Sequence, residues 1–281
     1  MTLLSILYGL SSALIWGAGD FTGGIASRRA DPYRTVVLSE IIGLLLLLAA
    51  ALLTGAPFAS WPELGWSAAA GALGCSGLVM LYKSFADGKM STAAPVSALT
   101  SVALPIVTGS FLEGLPGALK FAGFGLAAIA IWLISKDHNA GTPARLRLAD
   151  LRLPLLSGLF FGLYFILMDR GTQSTVLWPM IASRSAGAVT IAVYVLFLRG
   201  PLLPPRRVWP LISLNALLDI GGNAFYVLAA RAGRMDVAAV LGSLYPGSTV
   251  LLAWLLLREK ISRLQFIGIL TALVAIALMT L

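Results

Sequence analysis

The sequence has 281 residues, of which 58% are hydrophobic and only 11% are charged, and its mean hydropathy is +0.90. A soluble domain carries about a quarter charged residues because its surface has to be hydrated, so this composition excludes a soluble enzyme, a secreted disulfide-linked module and a disordered chain. The net charge of +8 does not indicate nucleic-acid binding, since the basic residues lie between apolar segments and form no single patch. With one cysteine, Cys75, and one histidine, His138, neither an intrachain disulfide nor a Cys/His metal cluster is possible, and we expect no cofactor.

Ten apolar segments, separated by Gly, Pro and Asp turn signals, predict an all-α integral membrane protein with ten transmembrane helices. One spanning helix and a short connection need about 28 residues, so the chain is long enough for ten passes. The segments are predicted near residues 3–26, 33–54, 64–86, 92–112, 116–135, 153–170, 177–198, 208–230, 236–257 and 262–280. The longest polar stretch lies at the centre and divides the chain into a first five-helix unit (1–135), a polar linker (136–152) and a second five-helix unit (153–281).

The two units repeat each other in sequence. The matches at a nearly constant offset are Gly88-Lys89-Met90 with Gly233-Arg234-Met235, Phe121-x-Gly123 with Phe266-x-Gly268, and Ser39-Glu40-x-x-Gly43 with Ser183-Arg184-x-x-Gly187. Because five is an odd number, the second unit is expected to enter the bilayer inverted relative to the first. Inverted repeats are typical of secondary transporters, whose substrate sites lie at the repeat interface near the bilayer midplane.

The distribution of basic residues predicts the orientation. Most of the 20 Lys and Arg residues lie in connections that follow odd-numbered helices, and this group includes the central linker. Since cytoplasmic loops carry the excess of Lys and Arg, we expect the linker in the cytoplasm, both termini outside, and a multi-pass protein of the plasma (inner) membrane.

The sequence resembles the EamA-type family of the drug/metabolite transporter superfamily. The resemblance rests on the duplicated unit, on LIWGAGDFTGG in helix one (14–24), and on the small-residue and proline patterns APVSALTSVALP (94–105) and GSLYPGSTV (242–250), each followed by an acidic residue, Glu113 or Glu259. It implies two halves around a central cavity, transport by alternating access, and peripheral helices five and ten. Helix two departs from many relatives, which have a basic residue where this chain has Glu40. Many relatives also have cytoplasmic termini.

Four ionisable residues fall inside apolar segments and are candidate site residues: Asp20, Glu40, Arg184 and Asp219. Each must face protein or water, because an ionised group at the bilayer centre costs roughly 2.5–3.5 kcal/mol on insertion scales. Asp219 shares one helical face with Asn215 and Asn223, and this polar face predicts either a wet cavity or an interhelical hydrogen-bond clamp.

Glu40 and Arg184 occupy matching positions with opposite charge. An inverted repeat places them on opposite sides of the midplane, so symmetry alone does not ensure a direct ion pair. They are expected to bind the two ends of a zwitterion or to act as gates, and the alternative is that each extends from its helix end to the interface.

Aromatic and proline residues suggest a pocket wall. Trp16, Tyr82 and Tyr164 lie in helix interiors and are expected to line the pocket or to pack in the core. Tyr245 precedes a proline and is expected at a break in helix nine. In helix four, Ser97 lies between Pro95 and Pro105, for which we expect an equivalent break.

No enzymatic motif such as HExxH, a Walker A loop or GxSxG is present, so we expect a transporter and not an enzyme. The predicted function is secondary-active or facilitative export or exchange of small polar metabolites, with amino acids or related compounds as the expected class. A coupling proton is expected on Asp219 or Asp20. The alternatives are a multidrug exporter of organic cations, against which Arg184 argues, and a lipid-carrier flippase. The protein is expected to act as a monomer or homodimer.

Overall fold

A computed structural model describes residues 3–113, 117–135, 148–197, 199, 201–232, 241–242 and 244–280. Within these ranges the regular elements are ten α-helices and one short 3-10 turn, Arg206–Val208, without any strand. The helices are α1 (Leu3–Arg29), α2 (Pro32–Thr54), α3 (Trp61–Ala86), α4 (Met90–Glu113), α5 (Ala118–Ser135), α6 (Leu148–Gly171), α7 (Leu177–Phe197), α8 (Trp209–Ala232), α9 (Tyr245–Leu257) and α10 (Arg263–Thr280). The protein is therefore all-helical over the described ranges, with one helix in each predicted apolar segment.

The helix boundaries differ most from the sequence prediction at the starts of the sixth and ninth helices, and by three residues or fewer elsewhere. α6 begins at Leu148, so the end of the predicted linker is helical, while residues 136–147 lie outside the described ranges. Residues 236–240 of the predicted ninth segment also lie outside them, and α9 begins at Tyr245, the position expected for the proline break. The corresponding break in helix four does not occur, because α4 continues past Pro95 and Pro105. A proline removes one hydrogen bond from a helix and can bend it without ending it.

Local sequence signals explain where several helices begin and end. Asp31 caps α2, its carboxylate accepting hydrogen bonds from the backbone N–H groups of the next residues, and Pro32 starts the helix. Ser60 and Glu63 form a capping box at the start of α3. Gly55 ends α2 in the left-handed conformation, at φ 61°, which glycine adopts without steric cost.

The outer surface of the bundle is apolar and its interior contains many small polar residues. Large side chains such as Leu53, Phe197 and Leu3 are exposed, whereas Ser12, Thr35 and similar residues are buried. Among the residues that the structure describes, five helical segments are long and apolar enough to cross a membrane: Leu3–Arg29, Pro32–Thr54, Trp61–Ala86, Leu151–Met168 and Leu177–Phe197. This distribution is the one expected when lipid, and not water, surrounds the bundle.

Helices from the two halves of the chain pack against one another in corresponding pairs. The contact of α1 with α8 corresponds to that of α6 with α3. In the same way, the contact of α4 with α6 corresponds to that of α9 with α1, and the contact of α3 with α7 corresponds to that of α8 with α2. Three further contacts join a helix to its own counterpart, α2 to α7, α4 to α9 and α5 to α10. Exchanging each helix with the one five places later maps these pairings onto one another, as expected for two similar units.

The connections after α1, α3 and α9 meet at one end of the bundle. Nε of Arg28 donates a hydrogen bond of 2.7 Å to the carbonyl of Phe85, and its Nη2 lies 3.7 Å from Oε1 of Glu259. The backbone N–H of Ser91, in the first turn of α4, donates to the same Glu259 carboxylate at 3.1 Å. We call Arg28, Phe85, Ser91 and Glu259 the end clamp. It joins elements from both halves of the chain.

Candidate functional site

Arg184 on α7 lies between two carboxylates in the interior of the bundle. Its Nη1 is 3.1 Å from Oε1 of Glu40 on α2, and its Nη2 pairs with Oδ2 of Asp219 on α8. The side chains of Arg184 and Glu40 are only 10% and 8% exposed, whereas that of Asp219 is 38% exposed. The guanidinium is thus paired with two carboxylates, and the more accessible of the two is that of Asp219. The repeat symmetry did not ensure the pair with Glu40, but the structure contains it.

Glycines one turn after the two charged residues make room for this arrangement. A Cβ atom on Gly43 would lie 3.0 Å from Nη1 and 3.1 Å from Cδ of Arg184. In the other half, a Cβ atom on Gly187 would collide with the thiol of Cys75 on α3. The repeated motifs Ser-Glu-x-x-Gly and Ser-Arg-x-x-Gly contained this signal. We did not predict a role for either glycine from the sequence.

Asp20 on α1 lies beside Arg184 and its two carboxylate partners. Its neighbour Gly19 contacts α8 closely, since a Cβ atom on Gly19 would lie 3.6 Å from the backbone nitrogen of Asp219. The carboxylates of Asp20 and Asp219 are close enough for their charges to interact. Among the residues that the structure describes, none forms a hydrogen bond or ion pair with the Asp20 side chain. We call Asp20, Glu40, Arg184 and Asp219 the ion cluster. Its three carboxylates outnumber its one cation.

The polar face of α8 has three members with three different roles. Asn215 is buried and forms hydrogen bonds to three other helices, which is the clamp predicted as one alternative. Asp219 belongs to the ion cluster. Nδ2 of Asn223 donates to the backbone carbonyl of Asp219 at 2.7 Å, so it acts within α8. The sequence prediction included Asp219 and Asn223 in the site and omitted Asn215.

Three of the predicted aromatic residues surround the ion cluster. Tyr82 is buried, and its hydroxyl accepts a hydrogen bond from Asn215. Tyr164 packs beside Gly74, within electrostatic range of Arg184. Tyr245, at the start of α9, lies within electrostatic range of Asp20. These side chains can form the walls of a binding site.

Two predicted site residues lie outside this group of contacts. Trp16, one turn before Asp20, packs against Tyr226 with ring centroids 5.6 Å apart and fits against Gly222, so it fills the α1–α8 interface. The hydroxyl of Ser97 is fully buried and forms a hydrogen bond of 3.1 Å with that of Ser157, between α4 and α6. Ser97 therefore joins two helices and is not part of the ion cluster.

In the part of the chain that the structure covers, no three His, Cys, Asp or Glu side chains are placed to hold a metal ion. The arrangement can instead bind charged organic groups. Arg184 offers a site for a carboxylate if Asp219 moves away, and Asp20 offers a free carboxylate for an ammonium group or a proton.

Comparisons with known proteins show the family of this chain and, separately, its fold. The family model of the EamA-like transporter family matches residues 3–136 and again residues 151–281. An uncharacterized protein of Methanocaldococcus jannaschii is 23% identical over 128 residues, which are 93% of that protein and 46% of this chain. A protein crystal structure, 15% identical, superposes with a TM-score of 0.64 over 98% of this chain and 95% of the other. The family match covers nearly the whole sequence. The solved structure shares its fold with this chain over nearly the same length.

Proposed function

We propose that this chain, which belongs to the EamA-like transporter family, exports or exchanges amino acids or related small polar metabolites by alternating access. Membership of the family makes it a multi-pass membrane transporter of a small-molecule substrate. The single observation that carries the finer proposal is the ion cluster, because it places a cation and an unpaired carboxylate side by side inside the bundle.

The zwitterion proposal assigns one end of the substrate to each group. The substrate carboxylate replaces Asp219 on Arg184, because Asp219 is the more exposed of the two partners while Glu40 stays buried and holds the guanidinium in place. The substrate ammonium group binds Asp20, whose carboxylate is free. Tyr164 and Tyr245 supply apolar surface for the rest of the molecule.

The transport cycle is proposed to be secondary-active or facilitative, with a proton carried on Asp20. Of the two carboxylates considered from the sequence, Asp219 already pairs with Arg184, so its charge is compensated. Among the described residues Asp20 has no such partner, and an unpaired carboxylate inside a membrane protein favours a proton or another cation. Ten spans in two inverted units (1–135 and 153–281) and a cytoplasmic linker complete the proposal.

One observation favours a second candidate, the export of organic cations. The sequence argument against it was that Arg184 repels a cation. Since Glu40 and Asp219 neutralise Arg184, that repulsion is largely cancelled and the surplus charge of the ion cluster is negative. A hydrophobic amine could then bind Asp20 alone.

A thermal-stability screen of the detergent-purified protein tests both proposals. For each of several amino acids, the matched set contains the amino acid, the amine that lacks its carboxylate and the acid that lacks its ammonium group. A ligand at 100 times its dissociation constant stabilises the folded protein by about 2.7 kcal/mol, which is readily measured. The zwitterion proposal predicts stabilisation by the amino acid only, whereas the cation proposal predicts equal or greater stabilisation by the amine.

Substitution then assigns the binding groups. Asp20→Asn is expected to abolish the stabilisation by ligand while leaving the unliganded protein folded, because the Asp20 side chain forms no hydrogen bond or ion pair within the described part of the chain. Asp87→Asn makes the same chemical change at an exposed residue after α3 and serves as the control. Stabilisation that survives in Asp20→Asn would contradict a role for Asp20 in either kind of binding.

A further inference from the structure

We infer that Asn215 is a positioning residue that fixes the three helices carrying the acidic groups of the ion cluster. The inference rests on the proposed function of that cluster as the substrate site. None of the hydrogen bonds of Asn215 goes to a side chain of the ion cluster. Asn215 therefore acts on the cluster through the neighbouring residues to which it is bonded.

The hydrogen bonds of Asn215 reach the chain neighbours of the cluster residues. Its Oδ1 accepts a bond of 2.7 Å from the hydroxyl of Ser39, the residue before Glu40 on α2. Its Nδ2 donates a bond of 2.8 Å to the carbonyl of Gly19, the residue before Asp20 on α1. Asn215 itself lies one helical turn before Asp219 on α8. One amide on the helix of Asp219 is therefore bonded to the residues that precede Asp20 and Glu40, through the Gly19 carbonyl and the Ser39 hydroxyl.

A third hydrogen bond extends this connection to α3. The second N–H of Asn215 Nδ2 donates a hydrogen bond of 2.9 Å to the hydroxyl of Tyr82. Tyr82 in turn packs against Gly23, one turn after Gly19 on α1, where a Cβ atom would collide with the ring. The amide thus uses its acceptor and both donors on α1, α2 and α3, and Asn215 as a residue is only 2% exposed.

The position of Arg184 follows from these contacts. Its helix, α7, receives no bond from Asn215, but Glu40 and Asp219 hold its guanidinium from both sides. A shift of α1 or α2 against α8 would change the spacing of the carboxylates and hence the fit of a ligand that bridges Arg184 and Asp20. No apolar residue of similar size can replace the amide, because it would leave the Gly19 carbonyl and two hydroxyls without their partner.

Carbodiimide labelling tests the inference without a substrate. Dicyclohexylcarbodiimide modifies protonated carboxyl groups in apolar surroundings, and mass spectrometry of the purified full chain measures the labelling rate at Asp20, Glu40 and Asp219 separately. The variants are Asn215→Ala, Ser39→Ala and Tyr82→Phe. Ser12→Ala is the matched control, since it removes another buried hydrogen bond between α1 and α8, from Ser12 Oγ to the Gly222 carbonyl at 2.8 Å.

We expect Asn215→Ala to change the labelling rate of at least one of the three carboxyl groups by about fivefold or more, the factor given by the loss of one buried hydrogen bond. Ser39→Ala is expected to act mainly on Glu40. Ser12→Ala should lower the melting temperature but leave all three rates within about twofold. If Asn215→Ala does not fold, the two single-bond variants decide.

Unchanged labelling in every variant that removes a bond to Asn215, together with a loss of melting temperature like that of Ser12→Ala, would overturn the inference and leave Asn215 as a packing residue.

The failure of this inference can be told apart from the failure of the proposed function. A screen without any ligand would refute the zwitterion site and leave the labelling result standing, whereas unchanged labelling would leave ligand binding intact.

Discussion

Glu40 and Arg184 hold corresponding positions in the two halves of the sequence, and the structure joins them in an ion pair of 3.1 Å. The pair connects α2 to α7, two helices that are counterparts of each other in the helix-packing pattern. With Asp219 as a second partner, Arg184 becomes the centre of a buried charge network. Removing the central arginine leaves two carboxylates without their partner, whereas removing one carboxylate leaves the arginine paired with the other. The first change is therefore expected to cost more stability than the second.

The stability effects of Arg184→Ala and Glu40→Ala are therefore expected to be unequal. Arg184→Ala leaves two carboxylates without a partner and should lower the free energy of unfolding by about 3–5 kcal/mol. Glu40→Ala should cost less, because Arg184 keeps Asp219. The double variant should cost less than the sum of the two single variants. Denaturant unfolding in detergent measures all three.

Arg170→Ala provides the comparison, since Arg170 is exposed at the end of α6 and its loss should change stability by no more than about 0.5 kcal/mol. Additive effects of Glu40→Ala and Arg184→Ala would show that the two side chains do not interact, and the description of the ion cluster would then be wrong.

Gly43→Ala tests how closely α2 must approach Arg184. The added Cβ atom would lie 3.0 Å from Nη1, so the guanidinium has to move or the helices must separate. We expect a loss of about 1–3 kcal/mol of stability and weaker ligand stabilisation in the thermal screen. Gly125→Ala on α5 meets nothing within 4 Å and should be neutral or slightly stabilising. Equal behaviour of the two variants would contradict a steric requirement at Gly43.

The end clamp predicts a pH dependence of stability. Burial raises the pKa of the Glu259 carboxyl above its ordinary value of 4.5, although the Ser91 N–H and Arg28 act in the opposite direction. The folded protein then binds a proton on Glu259 more readily than the unfolded chain does. Its contribution to the free energy of unfolding therefore falls as the pH rises from about 4.5 through the raised pKa.

Glu259→Gln removes this titration while keeping an oxygen that can accept from Ser91. The melting temperature of the variant, relative to the unmodified protein, should consequently rise with pH over that range. The comparison cancels the contributions of the other carboxyl groups. A difference that is independent of pH, or that falls with rising pH, would show that the pKa of Glu259 is not raised on folding.

Much of the helix pattern could be predicted from the sequence because hydrophobic length and turn residues determine it locally. Each apolar segment contains a helix, and Asp31-Pro32, Gly55 and Tyr245-Pro246 stand where helices begin or end. The expected break at Pro95 and Pro105 was wrong, since a proline weakens a helix but tertiary packing decides whether it ends.

The candidate site could be predicted only as a set of residue types. Intramembrane charge singled out Asp20, Glu40, Arg184 and Asp219, and the structure brings these four together. Their pairing depends on how helices from the two halves pack, which no local pattern reveals. The same holds for Asn215, because its hydrogen-bond partners on α1, α2 and α3 are distant in sequence. It also holds for Ser97, which forms its hydrogen bond with Ser157 on another helix.

Transport by reconstituted protein tests the central claim, that the unpaired Asp20 beside the Arg184 network binds the substrate. The measurement is the initial rate of uptake into proteoliposomes of the compound that gives the largest thermal stabilisation, at several pH values. It compares the unmodified chain with Asp20→Asn and with Asp87→Asn at equal amounts of reconstituted protein. We predict that Asp20→Asn lowers the rate at least about tenfold, a loss of about 1.4 kcal/mol of binding or transition-state stabilisation, and removes its pH dependence. Asp87→Asn should transport normally. An Asp20→Asn protein that transports at the normal rate with the normal pH dependence would contradict the account.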